Sequence, residues 1–177
     1  MHIVKPSVIW FTGLSSAGKT TIAQLLYKTL QKHGIPVVTI DGDEFRQSLS
    51  ADLGFSIAHR QENIRRAAQM ARLVVQSDVT VICSFISPTI QIREQARSII
   101  GSSRFIEVYI STPLDICLQR DIKGLYQKAS DGLIKNLTGI DSPYEPPLNP
   151  DCTINTTGET PEESARQLFN CITQKFC

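Results

Sequence analysis

The stretch GLSSAGKT, residues 13–20, matches the phosphate-binding pattern G-x-x-x-x-G-K-[ST] at every fixed position. It follows an apolar run and precedes an amphipathic one, the strand, loop and helix order that this motif requires. In such a loop the backbone N–H groups and the helix N-terminus face an anion. We expect Lys19 to reach the β- and γ-phosphates of a nucleotide and Thr20 to ligate Mg²⁺. The alternative is a strand-to-helix turn whose glycines only permit tight packing.

Two carboxylates, Asp41 and Asp43, follow the next apolar run in the stretch TIDGDEFR. P-loop enzymes often hold Mg²⁺ with an aspartate at the end of another strand, and the third apolar run, VTVICSF, ends without one. We therefore assign Asp41 to the metal and Asp43 to the attacking hydroxyl, with both side chains on one side if the chain stays extended. A plain Asp-Gly-Asp turn is the alternative. Ribose binding is disfavoured because the dinucleotide pattern GxGxxG is absent.

A second pocket is indicated by residues that suit an anion and a planar base. Arg46 follows the acids, and Arg60 and Asn63 are three apart on a predicted helix and so share a face. Such a pair can bind an anion and hydrogen-bond a base or a ribose. Each arginine alone also fits a solvated surface charge. Phe55 suits either the core or base stacking.

These residues need a scaffold, and apolar runs alternate with amphipathic segments along the chain. Near-continuous β-branched runs predict buried parallel strands, and the pattern as a whole predicts an α/β fold. The longest predicted helix covers 58–76, and Thr112 and Thr160 resemble helix N-caps followed by proline. The predicted strands are 8–12, 37–41, 79–85, 105–111 and, weakly, 152–155.

The stretch 123–150 holds six glycines and prolines after Leu125, too many for a core element. It is either a solvated surface loop or a functional lid.

The 177 residues are 41% hydrophobic with a formal net charge of +1, which suits one domain over 1–177. This charge gives no overall attraction to nucleic acid or to anionic membranes. We expect neither an export signal nor a membrane span. The five cysteines include no CxxC pair, which argues against a disulfide framework or a zinc site and favours a reducing cytoplasm.

Taken in order, the stretches GLSSAGKTT, DGDEFR, LGFS, RQENIRR, ISP, RDIKGLY and TGIDSPYEPP resemble the adenylylsulfate kinase (APS kinase) family. The resemblance implies transfer of the ATP γ-phosphoryl group, with Mg²⁺, to the 3′-hydroxyl of adenosine 5′-phosphosulfate (APS) in sulfate assimilation. It also implies a P-loop nucleotide-kinase-like three-layer fold with a central parallel sheet, a mobile lid near 120–150 and a homodimer.

The resemblance assigns residues to three sets. The ATP set is Gly13, Leu14, Ser15, Ser16, Ala17, Gly18, Lys19, Thr20, Thr21 and Arg120, with Thr20 and Asp41 for the metal. The APS set is Asp41, Asp43, Arg46, Phe55, Arg60, Asn63, Ile86, Ser87, Lys123 and Leu137. The catalytic set is Lys19, Asp43 and Ser87.

Ser87 corresponds to the position at which the family has been credited with a phosphoserine. A covalent intermediate needs an activating base, and no neighbouring residue in the sequence supplies one. We therefore favour direct transfer with Ser87 contacting the substrate. Phosphorylation, or a plain turn residue before Pro88, stays an alternative.

The chain departs from the family pattern at three positions: Leu137 replaces an aromatic residue, Ser16 a frequent glycine and His59 a frequent aspartate. Losing one side of an adenine sandwich weakens binding by about ten-fold or more. The N-terminal redox control of the plant enzymes is not expected, because no cysteine precedes Cys83.

Three other functions fit the P-loop. A kinase of another metabolite, such as a nucleoside, shikimate or gluconate, has no reason to require Phe55, Arg60 and Asn63 together. A nucleotide-dependent switch should carry the guanine signature N-K-x-D, which is missing. A regulatory domain of a bifunctional sulfate-activating protein is the third alternative.

Overall fold

A computed structural model of the chain describes residues 5–176. Its centre is a five-stranded sheet in the order β2-β3-β1-β4-β5, in which every neighbouring pair is parallel. All five predicted strands are confirmed, and three of them are one or two residues shorter than predicted. The strands are β1 (Val8–Thr12), β2 (Val37–Asp41), β3 (Thr80–Ser84), β4 (Phe105–Ile110) and β5 (Cys152–Ile154).

Helices cover both faces of the sheet. They are α1 (Lys19–Lys32), α2 (Gly42–Gln47), α3 (Ile57–Val75), α4 (Ile90–Ile100), α5 (Leu114–Arg120), α6 (Leu125–Ser130) and α7 (Pro161–Phe176). Along β1 the side chains alternate: Ile9 and Phe11 join the core beneath α1 and α7, and Val8 and Trp10 join the core beneath α3 and α4. The predicted three-layer α/β fold is therefore confirmed.

Of the two predicted N-caps, one is confirmed and the other is wrong. Thr160 Oγ1 accepts the Glu163 N–H at 3.2 Å, while the Glu163 carboxylate accepts the Thr160 N–H at 2.9 Å, a capping box. Helix α5 instead begins after Pro113, because the buried Thr112 hydroxyl donates to the carbonyl of Ala17 at 2.9 Å. A tertiary contact to the phosphate loop therefore takes the place of the local cap.

The segment 123–150 is not simply a solvated loop. It begins with α6, and Tyr126 and Leu137 are buried in the core beneath α1 and α7. The Tyr126 hydroxyl donates to the carbonyl of Ser15 at 3.1 Å. The expectation that this stretch holds no core element is wrong, because these long-range contacts cannot be read from its glycine and proline content.

The expectation of no disulfide is also wrong: Cys152 in β5 is bonded to Cys171 in α7. The two residues are 19 apart in the sequence, so no CxxC spacing marks them, and the packing of α7 against β5 brings them together. Cys83 and Cys117 are buried free thiols. Among residues 5–176, no helix is long and apolar enough to cross a membrane.

Candidate active site

A cleft of about 690 Å³ opens at the C-terminal edge of the sheet, where ligands bind in parallel α/β folds. Its walls come from the phosphate loop, α2, the first turns of α3, the loop after β3 and the segment around α6. The predicted site residues that line it are Ser15, Ser16, Gly18, Lys19, Thr20, Thr21, Asp41, Asp43, Arg46, Phe55, Arg60, Asn63, Ile86, Ser87, Lys123 and Leu137.

The phosphate loop takes a shape that its sequence permits. Gly13 has a φ of +150°, and a Cβ there would lie 2.7 Å from the carbonyl oxygen of Ile110. Gly18 has a φ of +106° where α1 begins. Ser16, at the position where the resembling family often has glycine, adopts the left-handed region with a φ of +57°. The predicted loop, with a helix beginning at Lys19, is therefore formed.

The Lys19 side chain is buried against the backbone of the phosphate loop. Its Nζ donates to the carbonyls of Gly13 at 3.0 Å and Leu14 at 2.6 Å. Burial, and next the positive charge of Lys123, lower the pKa of Lys19 to about 8. A phosphate dianion beside this amine would favour its charged form.

Asp41 connects the loop to the acidic stretch. Its Oδ2 accepts the Thr20 hydroxyl at 2.9 Å, and its Oδ1 accepts the Asp43 N–H at 2.9 Å, which caps α2. The expected extended chain through Asp43 is wrong, because α2 begins at Gly42. A hydroxyl and a carboxylate in contact are the hard oxygen donors that Mg²⁺ prefers, so the Thr20 and Asp41 pair fits this ion.

Asp43 lies in the first turn of α2 and forms an ion pair with Lys123, which precedes α6. Both side chains are well exposed within the cleft, at 61% and 47%. The pair joins α2 to the start of the predicted lid.

Phe55 is not a core residue, because it is 56% exposed on the cleft wall. The guanidinium groups of Arg46 and Arg60 lie 4.8 Å and 5.6 Å from its ring centre, within cation–π range. Arg46 also donates to the carbonyl of Gly54 at 2.9 Å. This aromatic face with two cations suits a planar base next to an anion.

Arg60 is buried at 7% exposure, so it is not a solvated surface charge. It donates to the carbonyl of Phe55 at 2.9 Å and to that of Asn136 at 2.6 Å, and so joins the two sides of the cleft. Asn63, also buried, lines the cleft with Arg60, as their spacing predicts. Within the described chain its buried Oδ1 has no hydrogen-bond partner.

The loop after β3 brings Ile86 and Ser87 to the cleft. Thr12 donates its hydroxyl to the carbonyl of Ile86 at 2.6 Å, and the Trp10 indole N–H donates to Ser87 Oγ at 3.0 Å. Ser87 has a φ of +45° and is 2% exposed. The Ser87 hydroxyl is therefore buried in the cleft wall, where it accepts a hydrogen bond from Trp10.

Two predicted residues have different surroundings. Leu137 is buried in the core and also lines the cleft. Arg120 is not among the cleft residues; it donates to the Thr156 hydroxyl at 2.8 Å and carbonyl at 3.0 Å, and to the carbonyl of Ala17 at 3.4 Å. It therefore lies behind the phosphate loop. Gly13, Leu14 and Ala17 support the loop without lining the cleft.

Several residues of the cleft were missed by sequence reasoning. They are Gly42, Ile64, Ser84, Phe85, Pro88, Ile122, Leu125, Ile134, Lys135 and Asn136. Gly42 carries a signal that could have been read: it separates the two acids, and a Cβ there would lie 2.9 Å from the carbonyl oxygen of Ser84. Ser84 ends β3 beside Asp41 in the sheet register, where strand ends meet the ligand.

Known proteins resemble the chain over its whole length. The adenylyl-sulfate kinase of Halothermothrix orenii is 50% identical over 99% of this chain and 94% of its own. The structure of the Mycobacterium tuberculosis APS kinase CysC in complex with AMPPNP and APS superimposes with a TM-score of 0.91 at 40% identity, covering 96% of this chain and 99% of that one. A hexameric APS kinase from Thiobacillus denitrificans has a TM-score of 0.72 at 30% identity, covering 97% and 30%.

The family described as adenylylsulphate kinase matches residues 5–155, which include every site residue discussed above. With the full-length relatives and the cleft geometry, this match shows that the chain belongs to the adenylylsulphate kinase family.

Proposed function

We propose that this protein transfers the γ-phosphoryl group of ATP to the 3′-hydroxyl of APS, giving 3′-phosphoadenosine 5′-phosphosulfate and ADP. One observation carries the proposal: a single cleft joins a phosphate loop to a second wall of an aromatic ring, two arginines and an asparagine. A phosphate loop alone serves any nucleotide kinase. The second wall suits an acceptor with a planar base and an anionic group.

ATP would bind with its phosphates on residues 13–21, Lys19 contacting the β- and γ-phosphates and Arg120 acting near the nucleotide from behind the loop. Thr20 and Asp41 would hold Mg²⁺, which when bound neutralises charge on the phosphates. Lys19 supplies a second positive charge, which acts most strongly where burial excludes water. Phosphoryl transfer depends mainly on such positioning and charge compensation.

APS would bind against the second wall. Its adenine stacks on Phe55 opposite Leu137, and Arg46 and Arg60 face its anionic groups. Asn63 Oδ1 can accept a hydrogen bond from the base or the ribose. Ile86, Ser87 and Lys123 complete the contacts in this proposal.

In the transfer step the 3′-oxygen attacks the γ-phosphorus as the bond to the β,γ-bridging oxygen of ADP breaks. Asp43 accepts the proton of the 3′-hydroxyl or holds it in line. The ion pair with Lys123 orients the Asp43 carboxylate within the cleft. Direct transfer is favoured over a phosphoserine, because Ser87 Oγ is buried and accepts a hydrogen bond from Trp10 rather than donating to a base.

The remaining parts of the proposal concern the whole protein. The segment near 120–150 would close over the substrates and limit ATP hydrolysis by water. A homodimer is proposed from the family resemblance, and sedimentation would distinguish it from a hexamer like that of the T. denitrificans relative. A cytoplasmic location follows from the need for ATP; the Cys152–Cys171 disulfide is the feature that argues against it.

The test is to incubate the purified protein with Mg·ATP and APS and to separate ADP and the 3′-phosphorylated product by chromatography. Adenosine, shikimate and gluconate serve as parallel acceptors, and Lys19→Ala as the inactive control. Turnover with APS alone supports the proposal. ADP formation only with another acceptor would contradict it while leaving the reading of the phosphate loop intact.

A further inference from the structure

Arg93 is a buried charge that the proposed mechanism does not use. It lies in the first turn of α4 and is 2% exposed. Its Nε lies 2.9 Å from Glu107 Oε1 in β4, as an ion pair. A charge this deeply buried is retained only where its partners compensate for the lost hydration.

The other two guanidinium nitrogens of Arg93 bind backbone carbonyls from two separate segments. One donates to the carbonyl of Ser87 at 2.8 Å, on the acceptor wall of the cleft. The other donates to the carbonyl of Glu145 at 2.7 Å, on the segment that leaves the proposed lid. The planar fork of arginine can hold three such acceptors at once, which a lysine cannot do.

Other hydrogen bonds fasten the same two segments to each other. The Glu145 N–H donates to the carbonyl of Pro88 at 2.7 Å, and its carboxylate accepts the Ile90 N–H at 2.8 Å. Tyr144 Oη lies 3.0 Å from Thr12 Oγ1, which in turn binds the carbonyl of Ile86. We call residues 86–90 together with 144–145 the wall junction.

Ser87 at the centre of this junction has a φ of +45°, a conformation that is unfavourable for an L-residue and persists only when its surroundings fix it. Arg93 fixes its carbonyl, and Trp10 fixes its hydroxyl. Without Arg93 the loop would relax toward a common backbone conformation, and the acceptor wall would move.

We propose that Arg93 is a positioning residue for the acceptor: it fixes the Ser87 loop in its binding shape and ties that loop to the end of the lid segment. This inference rests on the proposed function for the identity of the acceptor. A displacement of the order of 1 Å at a positioning group lowers turnover by about a hundred-fold. The ATP side of the cleft, which Arg93 does not touch, should be unaffected.

The first test compares Arg93→Lys with wild type in steady-state kinetics. We expect kcat/KM for APS to fall by about ten-fold or more, and KM for ATP to stay within about two-fold. The matched control is Arg97→Gln, one turn along α4, because Arg97 contacts Glu107 and Asp151 but neither Ser87 nor Glu145. If Arg97→Gln lowers kcat/KM for APS as much as Arg93→Lys, the role is only structural and the inference is wrong.

The second test needs no substrate. Trp10 is the single tryptophan of the chain, and its indole binds Ser87 Oγ while its ring stacks on Phe85 and Phe105. Arg93→Lys should shift its emission and increase its quenching by acrylamide, and should do so more than Arg97→Gln, because the Arg97 guanidinium lies over the Phe105 ring but does not bind Ser87. Unchanged emission and quenching in Arg93→Lys would overturn the inference.

If Arg93→Lys does not fold, the double variant Arg93→Met with Glu107→Met removes both buried charges and keeps the comparison possible. The same loss of kcat/KM for APS is expected from it, and wild-type kinetics in this variant would again refute the role. Failure of the proposed function is distinguishable: wild type would then not turn over APS, while the fluorescence of the ligand-free protein would still report whether Arg93 holds the loop.

Discussion

Replacing Phe55 with alanine would remove the aromatic face that we assign to the adenine of APS. The ring lines the cleft, is 56% exposed and faces the guanidinium groups of Arg46 and Arg60. Because most of the ring is outside the core, its loss should act on binding more than on folding.

The size of the effect follows from these contacts. Base stacking on an aromatic side chain contributes about 1 to 3 kcal/mol, so the Kd for APS should rise by about 5-fold to 150-fold. Full burial of a phenylalanine side chain stabilises a protein by about 1.5 to 3 kcal/mol. With less than half of the Phe55 side chain buried, the free energy of unfolding should fall by about 1 kcal/mol.

The assay is calorimetric titration of APS into wild type and Phe55→Ala in the presence of ADP and Mg²⁺, with thermal unfolding measured in parallel. Leu49→Ala is the matched control, because Leu49 is also 56% exposed but does not line the cleft. A Kd for APS that changes by less than about two-fold in Phe55→Ala would refute the stacking assignment. An equal loss of affinity in Leu49→Ala would show that the effect is not specific to the cleft.

Three further predictions concern the same cleft. Lys19→Ala should abolish phosphoryl transfer while the circular dichroism spectrum stays native, and near-normal turnover would contradict the assignment of Lys19 to the phosphates. We assign the Lys19 cation to the phosphates, and burial lowers the pKa of Lys19 to about 8, so affinity for ATP should fall as the pH rises above 8, by up to about ten-fold per pH unit; titrations across this range should show no such step in Lys19→Ala. Leu137→Phe should lower the Kd for APS by adding a second aromatic face, although overpacking a core residue lowers the free energy of unfolding by about 1 to 3 kcal/mol. An unchanged or raised Kd in that variant would show that leucine already fills the site.

The parts of the molecule that could be predicted are those in which local pattern and tertiary environment agree. Continuous β-branched runs predicted the strands because both faces of a parallel sheet are buried. The phosphate loop was predictable because its shape depends on glycines at fixed positions, such as Gly13 and Gly18. The shared face of Arg60 and Asn63 followed from helix periodicity alone.

The errors have identifiable physical causes. The chain was expected to stay extended from Asp41 through Asp43, yet an aspartate before acidic first-turn residues is also an N-cap signal, and here Asp41 ends β2 and caps α2. Thr112 has the local signal of a cap, but its hydroxyl binds Ala17 across the fold. The Cys152–Cys171 disulfide and the burial of Tyr126 depend on contacts between distant segments, which spacing and composition do not encode.

The sequence around Arg93 contains a sign of its burial that sequence analysis did not use. In the α4 sequence IQIREQARSII it lies next to the apolar stripe formed by Ile92, Ala96 and Ile100, all of which are buried. A charge beside an apolar helix face is either solvated at its edge or buried with partners. Only the positions of Glu107 and the two carbonyls decide between these, and two of the three partners, Glu107 and Glu145, are distant in the sequence.

The two sides of the proposed adenine site, at Phe55 and at Leu137, are connected by hydrogen bonds to the backbone and not by packing of those two side chains. Arg60 binds the carbonyls of Phe55 and Asn136, and the Asp141 carboxylate accepts the N–H groups of Asn136 at 2.7 Å and Leu137 at 2.5 Å. None of these bonds involves the side chain of residue 137. A leucine in place of an aromatic residue therefore changes the contact area offered to the base while leaving these backbone hydrogen bonds in place. For this reason we expect exchange at residue 137 to alter the affinity for APS without altering the reaction.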